Sequence, residues 1–227
     1  MPISTVVPAV RFSCGRATKL ARLSVLLAIG GALAASATAQ TKADQPLRDS
    51  TATIHNAAPP VPTFTRTEDR LAYFRWLAKT DKKLAPFVPD ATMRKEIVQT
   101  IWYEARRAGL DVAFVLGTIE ALSRFRKYAV AANGAIGYMA VNPAWVSRIG
   151  NGDVSTLMHS QTNLRFGCVL LRHYLDESKG NIHNAVTKYV ENNLGLAPGN
   201  PQVAAVVNNA FAAQARWAYV DSATALR

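Results

Sequence analysis

The stretch Asp111-Val-Ala-Phe-Val-Leu-Gly-Thr-Ile-Glu-Ala-Leu122 decides the fold class. Val112, Val115, Leu116 and Ile119 recur at i, i+3, i+4 and i+7, the spacing of one face of an α-helix. Asp111 stands just before the first of them, where a carboxylate accepts from the unpaired N–H groups of a first turn. The same periodicity holds on both sides. Upstream, Thr67 reads as an N-cap, with Glu68 and Asp69 at the positive helix end. Leu71, Phe74, Leu77 and Leu84 supply the apolar face of that helix, and Pro86 and Pro89 end it. Asp90 or Thr92 starts a helix through Ile97, Ile101 and Glu104 to Gly109.

Downstream, a loop holds Asn133, Gly134 and Gly137, and a short helix after Pro143 holds Trp145, Val146 and Ile149. A strong helix begins near Thr162 with Leu164, Cys168, Leu171 and Leu175 on one face. Another spans Ile182 to about Tyr189. The last opens with Asn200-Pro201, a cap followed by proline in the first turn, and runs through Val203, Val207, Phe211 and Trp217. No stretch alternates as a strand and nothing repeats. The expected domain, 67–227, is all-α with seven or eight helices, behind a polar, Pro-rich and flexible leader at 40–66.

Residues 1–39 contain Arg11, Arg16, Lys19 and Arg22, no acid, an apolar run from Leu23 to Ala35, and Ala37-Thr38-Ala39. This order describes a secretory signal peptide cleaved after Ala39. About 13 apolar residues are too few to span roughly 30 Å of hydrocarbon, so no stable membrane anchor is expected. The whole chain has a net charge of +11 over 227 residues. Losing the segment leaves 22 basic against 15 acidic side chains, a charge of +7. An exported basic protein meets anionic envelope material rather than nucleic acid. One cysteine remains, Cys168, too few for an internal disulfide; on its helix it reads as a small, inert core residue.

Several chemistries lack their residues. His55, His159, His173 and His183 form no H-E-x-x-H pair and have no cysteine at metal spacing. No nucleophile elbow and no phosphate-cradling glycine loop occurs. No metal and no cofactor is expected.

Five segments together point to a family. They are Tyr103-Glu-Ala-Arg-Arg-Ala-Gly-Leu-Asp111, Ile119-Glu-Ala-Leu-Ser-Arg-Phe-Arg-Lys-Tyr-Ala129, Gly134-Ala-Ile-Gly-Tyr-Met-Ala140, Thr162-Asn-Leu-Arg-Phe-Gly-Cys168 and Ala185-Val-Thr-Lys-Tyr189. From Trp102 to Gly195 the chain resembles the soluble lytic transglycosylases, lysozyme-like enzymes that cut peptidoglycan glycan strands. The resemblance implies an all-α, lysozyme-like fold and a single glutamic acid that protonates the glycosidic oxygen. That group then takes a proton from the muramyl C6 hydroxyl, closing a 1,6-anhydro ring. Serving as acid and then base requires a carboxyl whose pKa a dry pocket raises. Other glycosidases divide that work between two carboxylates.

The resemblance also shows where this chain departs. Ser123 and Phe125 fix the register that puts Leu122 at the acid position. Ala140 stands where the family has glutamine, Val190 where it has asparagine, and one residue is inserted before Leu194-Gly195. Ser123, Met139 and Tyr189 are retained. Ser123, Met139, Ala140, Tyr189 and Val190 are therefore the expected substrate-binding positions, along a groove expected to stay open. Two acids are candidates to replace the missing one. Glu120 lies two residues away but about 160° around the helix, at about 100° per residue. Glu191 follows Tyr189 in the segment that lines the cleft. Arg124, Arg126 and Lys127 offer contacts to wall carboxylates or form a solvated loop. Tyr138 and Trp145 suit either sugar stacking or core. Three functions follow: a wall-binding domain with degenerate chemistry, an active transglycosylase using Glu191 or Glu120, or a structural or assembly protein of the envelope. The expected partners are peptidoglycan glycan strands, with an envelope protein as the other class.

Overall fold

A computed structural model describes residues 44–51 and 59–219. The expected signal peptide lies outside these residues. Eight helices are described: α1 over 44–51, α2 Thr67–Leu84, α3 Ala91–Arg107, α4 Val112–Ser123, α5 Ala144–Ile149, α6 Ser160–Glu177, α7 Ile182–Leu194 and α8 Pro201–Trp217. A 3₁₀ turn, Val154–Met158, precedes α6. Among the described residues no β-strand forms; two isolated bridges join Ile136 to Val130 and Val141. The class is all-α, as the periodicity predicts. No helix among the described residues is long and apolar enough to cross a membrane.

The predicted caps mostly hold. Asp90 accepts from the Met93 amide at 2.7 Å, Asp111 from Phe114 at 2.8 Å and Asn200 from Gln202 at 2.8 Å. The start of α2 does not: Arg66 is the N-cap position, Thr67 is already helical, and no side chain caps the end. The face of α2 is also different. Leu71 and Phe74 are 50% and 49% exposed, while Tyr73, Trp76, Thr80 and Leu84 are buried. Aromatic bulk, rather than the leucine spacing, turns this helix toward the core.

Helix α6 is buried on almost every side from Ser160 to Leu171, so it forms the spine of the domain. Its one buried cation, Arg165, donates from Nη2 to Glu104 of α3 at 2.9 Å, and its Nε donates to the second oxygen of the same carboxylate. This bidentate pair fixes α3 against α6. Helix α4 lies along α8 at close range. A Cβ at Gly117 would come within 2.5 Å of the Ala210 carbonyl oxygen, so only glycine permits this approach.

The leader expected to be flexible is partly structured. Asp44 takes two hydrogen bonds from Arg148, at 2.5 and 2.7 Å, and the Thr51 hydroxyl donates to the Ile149 carbonyl at 2.7 Å. With Leu47 buried, α1 is docked on α5 by partners about a hundred residues away, which local composition does not reveal.

Candidate functional site

The site is assembled where α4 ends. Arg124 and Phe125 follow Ser123 in left-handed backbone, with φ of 53° and 59°, so the chain turns sharply out of the helix. Such conformations cost side-chain-bearing residues energy and cluster at functional sites. Ala140 also has left-handed backbone, with φ of 46°. Ala140 closes a tight turn, its amide donating to the Gly137 carbonyl at 3.1 Å. Ile136 and Val141 exchange two backbone hydrogen bonds of 2.9 Å across that turn.

Two asparagines, which the sequence did not single out as functional, hold this loop in place. Asn163 Oδ1 accepts from the Met139 amide at 3.0 Å, and its Nδ2 donates to the carbonyls of Ile136 and Leu157 at 2.8 and 3.1 Å. Asn193 Oδ1 accepts from the Asn142 amide at 3.0 Å, and its backbone carbonyl accepts from Asn133 Nδ2 at 2.8 Å. The Tyr189 hydroxyl donates to the Met139 carbonyl at 2.7 Å. Both backbone groups of Met139 are thus bound, one by α6 and one by α7. Asn163 could have been found from its place in Thr162-Asn-Leu-Arg165. Asn193 had no local signal, because the expected helix stopped near Tyr189, whereas α7 continues to Leu194.

The expected substrate-facing positions are packed inward. Ser123, Met139, Ala140, Tyr189 and Val190 are all buried, Val190 completely. The Met139 side chain fills the space beside Gly167, where a Cβ would lie 2.2 Å from its Sδ. The Ser123 hydroxyl returns to the Ile119 carbonyl of its own helix at 3.1 Å. The positions expected to line an open groove are therefore part of the packed interior. Without amide groups at 140 and 190, those side chains have nothing to offer solvent and settle into apolar contact. Leu122 alone among these positions is half-buried.

The two candidate acids have different surroundings. The Glu120 carboxylate accepts from Arg216 Nη2 at 2.5 Å and from Trp217 Nε1 at 2.7 Å. It is directed at α8, as the helical geometry predicts for a residue 160° from position 122. Glu191 is half-buried in the last turn of α7, and its side chain has no hydrogen-bond or ion-pair partner among the described residues.

Burial pushes the Tyr138 hydroxyl up to about 12, with the Ser160 hydrogen bond opposing it. Burial also pushes Tyr189 well above its ordinary value and raises the Cys168 thiol. All three stay protonated at neutral pH. Tyr138 and Trp145 are core residues, so neither presents a ring to a sugar. Cys168 is fully buried, the small core residue its helix position implies. Arg124 and Arg126 are exposed, and the Lys127 ammonium sits 5.4 Å from the centre of the Tyr128 ring.

The family model of the transglycosylase SLT domain matches residues 99–204, from α3 into the first turn of α8. That span includes α4, the loop with Ala140, α6 and α7. No curated protein sequence matches the chain. The helical architecture of the described residues is consistent with the lysozyme-like form of that domain, and the match itself carries its association with peptidoglycan. Residues 99–204 are thus similar to the transglycosylase SLT domain, and this match supports a lytic transglycosylase-like family for that part of the chain.

Proposed function

We propose that the chain is an exported, wall-associated domain that binds peptidoglycan glycan strands and has lost transglycosylase chemistry. The observation behind this reading is the side chain at the end of α4. The register set by Ser123 and Phe125 leaves Leu122 at the acid position, and the nearest glutamate in sequence, Glu120, is engaged by α8. A leucine transfers no proton, and acid–base groups contribute typically about 10²–10⁴-fold each. Here a single group would serve both steps. The basic balance of the mature chain suits an anionic wall, and the signal-like N-terminus suits export to the periplasm.

The decisive experiment incubates purified protein with sacculi and measures soluble anhydromuropeptides. The expected result is retention on the sacculi with no release above background. A second reading, an active enzyme with a relocated acid, rests on Glu191, whose half-buried carboxylate has no partner among the described residues. Dose-dependent release that disappears in Glu191→Gln would install that reading. Absence of both release and retention would leave the structural role.

A further inference from the structure

A groove of about 870 Å³ is bounded by α2, the end of α3, the start of α4 and the end of α8. Its lining includes Trp76, Trp102, Trp217 and Tyr219, with Arg106, Asp69 and Asp111 among the rings. None of the positions around Leu122 belongs to it. Its size falls within the roughly 300–1,000 Å³ range of small-ligand sites.

The rings are held in place. Trp102 meets Tyr73 edge-on at 4.9 Å, and Trp217 is fixed twice, by its hydrogen bond to Glu120 and by an edge contact with Phe125 at 5.4 Å. Tyr219 lies 4.9 Å from the Lys79 ammonium. Rings positioned before a ligand arrives lose little freedom on binding, which is what a binding platform needs. Trp102 and Tyr219 are only partly buried, so both offer surface to a ligand.

The charged groups decide which ligand fits. Arg106 is exposed, and its guanidinium has no side-chain partner among the described residues. An acyl chain or an apolar helix would cover Arg106 and Asp111 without satisfying them, at a desolvation cost. A pyranose has an apolar face for an aromatic ring and a hydroxyl edge for ionised side chains. A muramyl sugar free of its stem peptide adds a lactyl carboxylate, which can pair with the guanidinium of Arg106. We infer that this aromatic groove is a second glycan-binding site, taking N-acetylhexosamine strands with Arg106 on a muramyl carboxylate. The inference rests on the wall-binding reading for its ligand class but not on the site around Leu122.

The test titrates the purified chain with chitotetraose and with a GlcNAc–MurNAc tetrasaccharide, following indole fluorescence. The expected result is saturable quenching by both sugars, tighter for the muramyl one by about tenfold, the worth of one charge-assisted hydrogen bond. Trp102→Phe should remove most of the quenching. Arg106→Ala, at an exposed position that leaves the fold intact, should reduce the muramyl sugar to the affinity of chitotetraose. Binding indifferent to both substitutions, or no quenching by either sugar, overturns the inference. Quenching that depends on protein concentration without sugar assigns this face to a second copy of the chain and also overturns it. Sacculus retention is measured in parallel. If the parent and both variants are retained equally, wall binding stands and the groove falls. If sugars quench as expected but sacculi are not retained, the groove stands and the wall-binding reading falls.

Discussion

Trp217 Nε1 donates to Glu120 Oε2 at 2.7 Å, which joins the last turn of α8 to the last turn of α4. Arg216 donates to the other oxygen of the same carboxylate at 2.5 Å. The acid closest in sequence to Leu122 is thereby a structural tie between two helices.

Removing that tie should lower stability without touching any reaction. Glu120→Ala leaves a partly buried indole N–H without its acceptor, at about 1–3 kcal/mol. Urea unfolding of the variant should show a loss in that range. A loss below about 0.3 kcal/mol would mean that the carboxylate contributes nothing to the α4–α8 packing.

Positions 122 and 190, which the proposed function sets apart, should not tolerate polar substitution equally. Leu122 is half-buried, so Leu122→Glu can leave its carboxylate near solvent and should melt close to the parent. Val190 is completely buried, so Val190→Asn buries an amide and should cost about 1–3 kcal/mol. Thermal melts of the two single variants, side by side, check the order. Weak anhydromuropeptide release by Leu122→Glu would show that position 122 still faces substrate.

The sharp exit from α4 can be relaxed. Arg124 is exposed, caps the helix with φ of 53°, and gives up no buried contact. Left-handed backbone costs a residue with a Cβ roughly 1–2 kcal/mol, which glycine avoids. Arg124→Gly should therefore stabilise the domain by up to about 1 kcal/mol. An unchanged or lowered melting temperature contradicts this account of the turn.

Alkaline pH should unfold the domain through its buried tyrosines. Tyr138, Tyr174 and Tyr189 all titrate above the usual value of 10.0 in the folded chain, chiefly because burial disfavours the phenolate. Between about pH 10 and 12 the unfolded chain loses these protons while the folded chain keeps them. Stability from this source is complete below pH 10 and falls as pH rises toward 12. Denaturant melts at pH 9, 10.5 and 11.5, with tyrosinate absorbance followed in parallel, should show both effects together. A flat profile up to pH 12 refutes it.

What the sequence disclosed follows from the range of the interactions involved. Helix α4 was legible because Asp111 and the Val112–Ile119 stripe are local signals. Helix α2 was misread because leucines and aromatics compete for the same face, and only packing shows that Tyr73 and Trp76 win. The end of α7 was hidden by Asn192 and Asn193, weak helix formers, although Gly195 stops the helix in left-handed backbone with φ of 62°. Asn163 binds the backbone of Met139 and Ile136, 24 and 27 residues away, and Asn193 that of Asn142, 51 residues away, so no window of local sequence contains both ends of these bonds.

The grip on Met139 separates two kinds of information. Its backbone is clasped by Asn163 from one helix and by Tyr189 from another, and neither contact involves position 122, 140 or 190. Shape and reactivity are thus written on different letters of the chain. A side chain at the end of α4 can change while the frame around it stays upright. The same independence makes the domain a chassis for engineering: a new reactive group can be installed at position 122 on a frame held by other residues.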